Sequence, residues 1–168
     1  RLEALRVPPN DPVQRGQQVL ASGEYPCANC HVLTSLGWAG LTGPALNGIG
    51  DRAAARAATV GLNNGAEYLI QSIHLPNEYV VPGYPQGQMP YFGYSETAPA
   101  GQAPYTQMSE DDLTGIVAYL CAQVEGGDAS TSTCGFALNA DGTPVNVDEA
   151  VNFLTTIGDT YKPLYGME

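Results

Sequence analysis

Five consecutive residues limit what this chain can become: Cys27-Ala28-Asn29-Cys30-His31. Two thiols three positions apart on one helical turn face the same neighbour, and the imidazole that follows projects beside them. C-x-x-C-H is the attachment signature of a c-type haem. Each thiol can form a thioether to a haem vinyl group, and His31 then becomes the proximal ligand of the iron. Three other uses compete. A thioredoxin-like redox pair expects a βαβ setting, and no strand-rich run surrounds the motif. A zinc site takes four ligands, usually from two paired motifs, and Cys121, Cys134 and His74 stand in no paired spacing. The third is an accidental match built from structural cysteines.

Length and composition set the frame. A chain of 168 residues predicts one domain with a real core. Its 20 glycines and 13 prolines predict many loops. No apolar run approaches the length of about 18 residues that a spanning helix needs. The net charge of −11 is unevenly placed. Residues 1–56 carry five arginines against four carboxylates, whereas residues 57–168 carry Lys162 alone against 13. Nucleic acid and anionic lipid surfaces are poor partners for such a chain.

The local signals predict helices separated by loops. Pro8, Pro9 and Pro12 make residues 1–10 an extended arm. Asn10 or Asp11 caps a helix from about Pro12 to Ala21, with Val13, Gly16, Val19 and Leu20 on one face. Gly16 costs about 1 kcal/mol against Ala in mid-helix, which implies that another backbone comes close there. Residues 32–50 read as a glycine-rich loop, and Asp51 to Arg56 as a short helix. A helix follows from Gly65 to His74, capped by Asn63 or Asn64. Residues 76–93 are rich in Pro, Gly and aromatics and hold little regular structure. Ser109-Glu110-Asp111-Asp112-Leu113 opens another helix, with Leu113, Ile116, Val117 and Leu120 at helical spacing, ending near Gln123. A turn at Asp141-Gly142 and a short helix from Val147 to Ile157 are expected beyond it.

Taken together, the Cys27–His31 motif, Gly43-Pro44-Ala45-Leu46, the Met89-Pro90 pair in its glycine-rich loop and the helix starting at Ser109 resemble a monohaem class I cytochrome c. The resemblance covers roughly residues 11–123. It implies an all-α class I cytochrome c fold, with three to five helices around one covalent haem c. Residues 94–107 are then an insertion before the last core helix, of the kind that covers a haem edge or meets a partner, and residues 124–168 a C-terminal extension. Cys27, Cys30, His31 and Met89 are the implied cofactor-binding residues, with His31 and Met89 as the axial metal ligands. Pro90 restricts Met89 to extended geometry, which would hold its sulfur toward the iron. The Pro44 carbonyl is the implied acceptor for the His31 ring N–H. His74 is the rival distal ligand; Met108 reads as core and Met167 as part of a terminal tail. Either Arg52 or Arg56 is the expected partner of a haem propionate. Trp38 sits either on the haem edge or in plain core. The first and last core helices are expected to cross near Gly16.

The implied activity is one-electron transfer, not catalysis, in the periplasm or its equivalent. A cleaved or missing presequence follows from that compartment, and an anchor upstream of Arg1 stays open. Two spare cysteines in an oxidising compartment predict a Cys121–Cys134 disulfide. With one lysine in all, docking through a lysine ring is not available. The pattern Pro-Asn-x-Tyr-Val-Val-x-Gly-Tyr before Met-Pro resembles cytochrome subunits of bacterial respiratory assemblies, including alternative complex III. A fixed subunit of a membrane-bound respiratory or photosynthetic complex is therefore expected, with other subunits or redox proteins as partners. A diffusible shuttle, and a haem enzyme or gas sensor with a labile distal ligand, are the alternatives. The apolar-tipped tail either packs on the domain or docks on another subunit.

Overall fold

The computed structural model describes residues 10–167. The expected arm lies outside the described residues, Asn10 apart. The chain is mostly helical, with five α-helices and two small sheets among the described residues.

Helix α1 (Pro12–Ser22) begins where the sequence offers both start signals. Asp11 accepts from the Val13 N–H at 2.8 Å, and Pro12 occupies the first position, where a missing N–H costs nothing. Helix α2 (Ile49–Thr59) is longer than the Asp51–Arg56 reading, because Ala53 and Ala57 extend a small-residue face that packs on α3. Helix α3 (Gly65–His74) opens with a reciprocal cap. Asn64 accepts from the Glu67 N–H at 2.9 Å, and the Glu67 carboxylate accepts from the Asn63 N–H at 2.7 Å. Helix α4 (Glu110–Cys121) starts at Ser109, whose hydroxyl accepts from the Asp112 N–H at 3.1 Å. Its three first-turn carboxylates complement the helix dipole. Helix α5 (Val147–Asp159) is capped by Asn146 and runs two residues past the expected end.

Helices α1 and α4 form the central crossing. Gly16 meets Gly115 there, and a Cβ built on Gly16 would lie 1.8 Å from the Gly115 carbonyl oxygen. Asp112 ties a second point of the crossing. Its carboxylate takes the Arg15 guanidinium at 2.9 Å and the Tyr25 hydroxyl at 2.6 Å. Tyr25 sits two residues before Cys27, so this network fixes the entry to the C-x-x-C-H segment.

The strands are short. Val32–Leu33 (β1) pairs antiparallel with Trp38–Ala39 (β2), and Tyr91–Gly93 (β3) pairs parallel with Tyr105–Gln107 (β4). The 94–107 segment thus folds back on the strand that follows Met89. None of its residues lines the central cleft.

The extension is built into the core. Cys121 at the end of α4 is bonded to Cys134, and both are fully buried. Ala150 and Leu154 of α5 are buried, and the helix packs against α4 and α3. Tyr161 and Tyr165 bury themselves around His74. Of the two fates expected for the tail, the structure has it packed on its own chain. Replacing Cys121 and Cys134 together by Ala is expected to cost about 3 kcal/mol, the loop-closure entropy of a loop of this size. Urea unfolding of the variant checks this, and an unchanged midpoint would contradict it.

Candidate functional site

One cleft gathers the C-x-x-C-H residues and Met89. It encloses about 1180 Å³ of space, part of it open to solvent. The C-x-x-C-H segment, the 38–46 loop, α3 and the 76–89 loop border it, while Leu20, Ile116 and Leu120 bring α1 and α4 to it.

Each side chain is positioned by local structure. Pro26 starts a 3-10 turn over Pro26–Asn29, tighter than the α-helical turn expected, and both Cys30 and His31 N–H groups return to the Cys27 carbonyl. Cys27 and Cys30 are free thiols and both line the cleft. Burial pushes the Cys27 thiol up to about 11, so it is held protonated. The His31 ring is clamped by the next loop. Its Nδ1 lies 2.6 Å from the Pro44 carbonyl oxygen. A carbonyl only accepts, so Nδ1 carries the proton and Nε2 keeps a bare lone pair. Gly43 lies flat against the same ring, and a Cβ there would come within 2.7 Å of His31 Cε1. Burial lowers the His31 pKa, opposed by the bond to Pro44, which keeps the imidazole neutral and able to ligate.

Met89 lines the same cleft from the proline-rich loop and packs against the core. Met108 also borders it, from a fully buried position before α4. Met167 is exposed and away from it. The rival ligand His74 is not a lining residue. It sits on the other face of α3 from Leu69 and Ile73, its Nδ1 donates to the Phe92 carbonyl at 2.7 Å, and Tyr161 stacks on it at 5.0 Å. The Tyr165 hydroxyl lies 2.9 Å from the same nitrogen.

The two arginines separate clearly. Arg56 lines the cleft beside Tyr68, whose hydroxyl accepts from its guanidinium at 3.4 Å. Arg52 instead donates to the Ala45 carbonyl at 3.0 Å and faces Glu125. Trp38 is a lining residue and no carboxylate is. Among the described residues no three His, Cys, Asp or Glu side chains converge to chelate a metal ion. The arrangement suits a flat, largely apolar group with negative charge at one edge, tethered by two thiols and ligated by an imidazole.

Three features escaped the sequence reading: the Asp112 hub, the tyrosines around His74, and Asn77, which bonds both sides of the Met89 loop. Only the Asn77 position carried a signal, as part of the Pro-Asn-x-Tyr pattern. Compared with known proteins, the chain matches no family model and no curated protein, so the assignment of the cleft rests on its own residues and geometry.

Proposed function

We propose that the chain is a class I cytochrome c that holds one covalent haem c in this cleft and transfers single electrons. One observation carries the reading: two free cysteines, a histidine with a committed Nδ1 and a methionine from a proline-rich loop border one apolar cleft. The haem, when bound, supplies a reversible one-electron couple between ferric and ferrous iron.

The residues present fit that group. Cys27 and Cys30 supply the thiols for its two thioethers. Pro44 and Gly43 hold His31 in one tautomer and one orientation, so Nε2 is left as the ligating nitrogen. Met89 would supply a thioether as the second protein ligand, and His/Met ligation would raise the potential. Arg56 offers a guanidinium fork to a propionate. Leu69, Ile73, Ile116 and Leu120 exclude water around these groups, which disfavours the more highly charged ferric form. With His31 and Met89 both holding the iron, no open position would remain for substrate, which would favour electron transfer over oxygenase or peroxidase chemistry.

The buried Cys121–Cys134 bond supports an oxidising, extracytoplasmic compartment such as the periplasm. No helix among the described residues is long and apolar enough to cross a membrane. Membrane association would then come through partner subunits or a segment upstream of Arg1. The likeness of the 76–90 loop to respiratory cytochrome subunits extends the reading to a fixed subunit of an electron-transport complex. Comigration with a large assembly from mildly solubilised membranes supports that extension; release as a small protein makes the chain a shuttle.

The test is expression with a haem-attachment system in an oxidising compartment. One haem mass retained after denaturation is expected, and the Cys27→Ala, Cys30→Ala double variant should lose it. A wild-type chain without covalent haem overturns the proposal. The two cleft methionines give a sharper prediction. Met89→Leu should abolish the weak red charge-transfer band of thioether-ligated ferric haem, and Met108→Leu should retain it. The reverse result would move the distal ligand to Met108.

A further inference from the structure

The segment that carries Met89 has no helix or strand of its own between the end of α3 at His74 and the start of β3 at Tyr91. A loop this rich in Pro and Gly is not held by its backbone alone. One side chain spans it. Asn77 Oδ1 accepts from the Gly87 N–H at 3.0 Å, and Asn77 Nδ2 donates to the Tyr91 hydroxyl at 2.9 Å. Gly87 and Tyr91 lie two residues before and two residues after Met89. A primary amide presents an acceptor and a donor on one rigid plane, so a single group can meet both partners.

Both ends of this brace are fastened to the fold. Asn77 follows directly from α3, where the Leu75 N–H returns to the Gln71 carbonyl at 2.6 Å and the Glu78 N–H to Leu75 at 3.1 Å. Tyr91 opens β3, and its own N–H donates to the Pro104 carbonyl at 2.9 Å. Gly87 turns the chain with φ at 78°, a left-handed conformation that leaves its N–H free to reach Asn77. Asn77 also lines the cleft, but both ends of its amide are already engaged, so it is not itself a candidate ligand.

We propose that Asn77 is the positioning residue of the distal-ligand loop, holding the Met89 thioether at the cleft by clasping the chain on both sides of it. This rests on the haem reading above. The brace biases a two-state loop, and an added ligand that needs the loop open binds in proportion to the open fraction.

The experiment uses ferric holoprotein and titrates imidazole, following loss of the thioether charge-transfer band. Asn77→Ala removes both hydrogen bonds of the brace, so imidazole is expected to bind about tenfold tighter or more. Tyr91→Phe removes one arm and should give an intermediate gain. Asn77→Asp keeps an acceptor for Gly87 and lets the Tyr91 O–H donate to the second oxygen, so it should restore affinity to within about threefold of wild type. Global urea unfolding should shift far less than the imidazole affinity. Wild-type affinity in both Asn77→Ala and Tyr91→Phe overturns the proposal, as does an Asn77→Asp variant as open as Asn77→Ala. If Asn77→Ala does not accumulate folded, Tyr91→Phe decides alone. A wild-type holoprotein with no thioether band instead sinks the Met89 assignment, and this inference with it.

Discussion

Gly16→Ala is expected to destabilise the protein by about 3 kcal/mol or more, although Ala is the better helix former. The propensity gain on α1 is about 1 kcal/mol. Against it stands a methyl group placed 1.8 Å from the Gly115 oxygen, 2.4 Å from its carbonyl carbon and 2.8 Å from Tyr119 Cβ. Two of these are backbone atoms of α4, so no rotamer change relieves the clash and the helices must separate. Overpacking that forces backbone shifts costs about 1–3 kcal/mol and more in the worst cases. Separation also pulls Leu20 away from Ile116 and Leu120, which line the cleft together, so the cleft should open as stability falls. Gln17→Ala, on the exposed face of the same helix, is the control and should stay within about 0.5 kcal/mol of wild type. Denaturant unfolding measures both. A Gly16→Ala protein as stable as the Gln17→Ala control would mean that the crossing tolerates side chains.

His74 is expected to make the protein lose about 3 kcal/mol of stability as the pH falls from about 6.5 to about 4. The side chain is fully buried, and burial pushes its pKa down from 6.5 to about 4, opposed by its bond to the Phe92 carbonyl. Above 6.5 the ring is neutral in folded and unfolded chains alike, and the full stability is present. Below that the unfolded chain takes up the proton while the folded one resists, so stability drains away until the folded pKa is reached. The cost has a visible origin: Nε2 is buried without a partner, and a proton there would have no acceptor. Tyr94, Tyr161 and Tyr165 face the ring from β3's end and the extension. Their hydroxyls are held protonated by burial, so none supplies a counter-charge. Glu110, Asp159 and Lys162 form an ion cluster at the same end of the molecule. Burial raises the Glu110 pKa, so Glu110 favours the folded state toward low pH and opposes the trend. Comparing His74→Asn with wild type at pH 7 and pH 4 removes that contribution, since both proteins share it. The variant should show the smaller loss by about 3 kcal/mol; equal losses would place the acid sensitivity elsewhere.

Much of the helix layout was legible because its signals are local. Asp11, Asn64, Ser109 and Asn146 each accept from a backbone N–H two or three residues ahead. Such caps act within one turn and are written in adjacent letters. The short strands were not legible, since each depends on a partner that only the folded chain supplies. The tail shows the same divide. Its apolar residues were visible, but whether they faced this chain or another depended on the Cys121–Cys134 bond and the room beside His74. Of the cleft, the Cys27–His31 spacing and Met89-Pro90 were legible, whereas the choice of Arg56 over Arg52 was not. The two stand four residues apart on α2, and only the packing of that helix decides which one borders the cleft.

By itself the sequence determined the chemistry within reach of a few bonds: two thiols and an imidazole on one turn, a methionine stiffened by the proline after it, helices that start where their caps stand. Tertiary structure alone decided the pairings across long separations. Asp112 meets Tyr25 across 87 positions, and Tyr165 meets His74 across 91. The reason is physical. A local signal acts through geometry the backbone already fixes, whereas a buried polar group must take whichever partner the packing of distant helices brings to it.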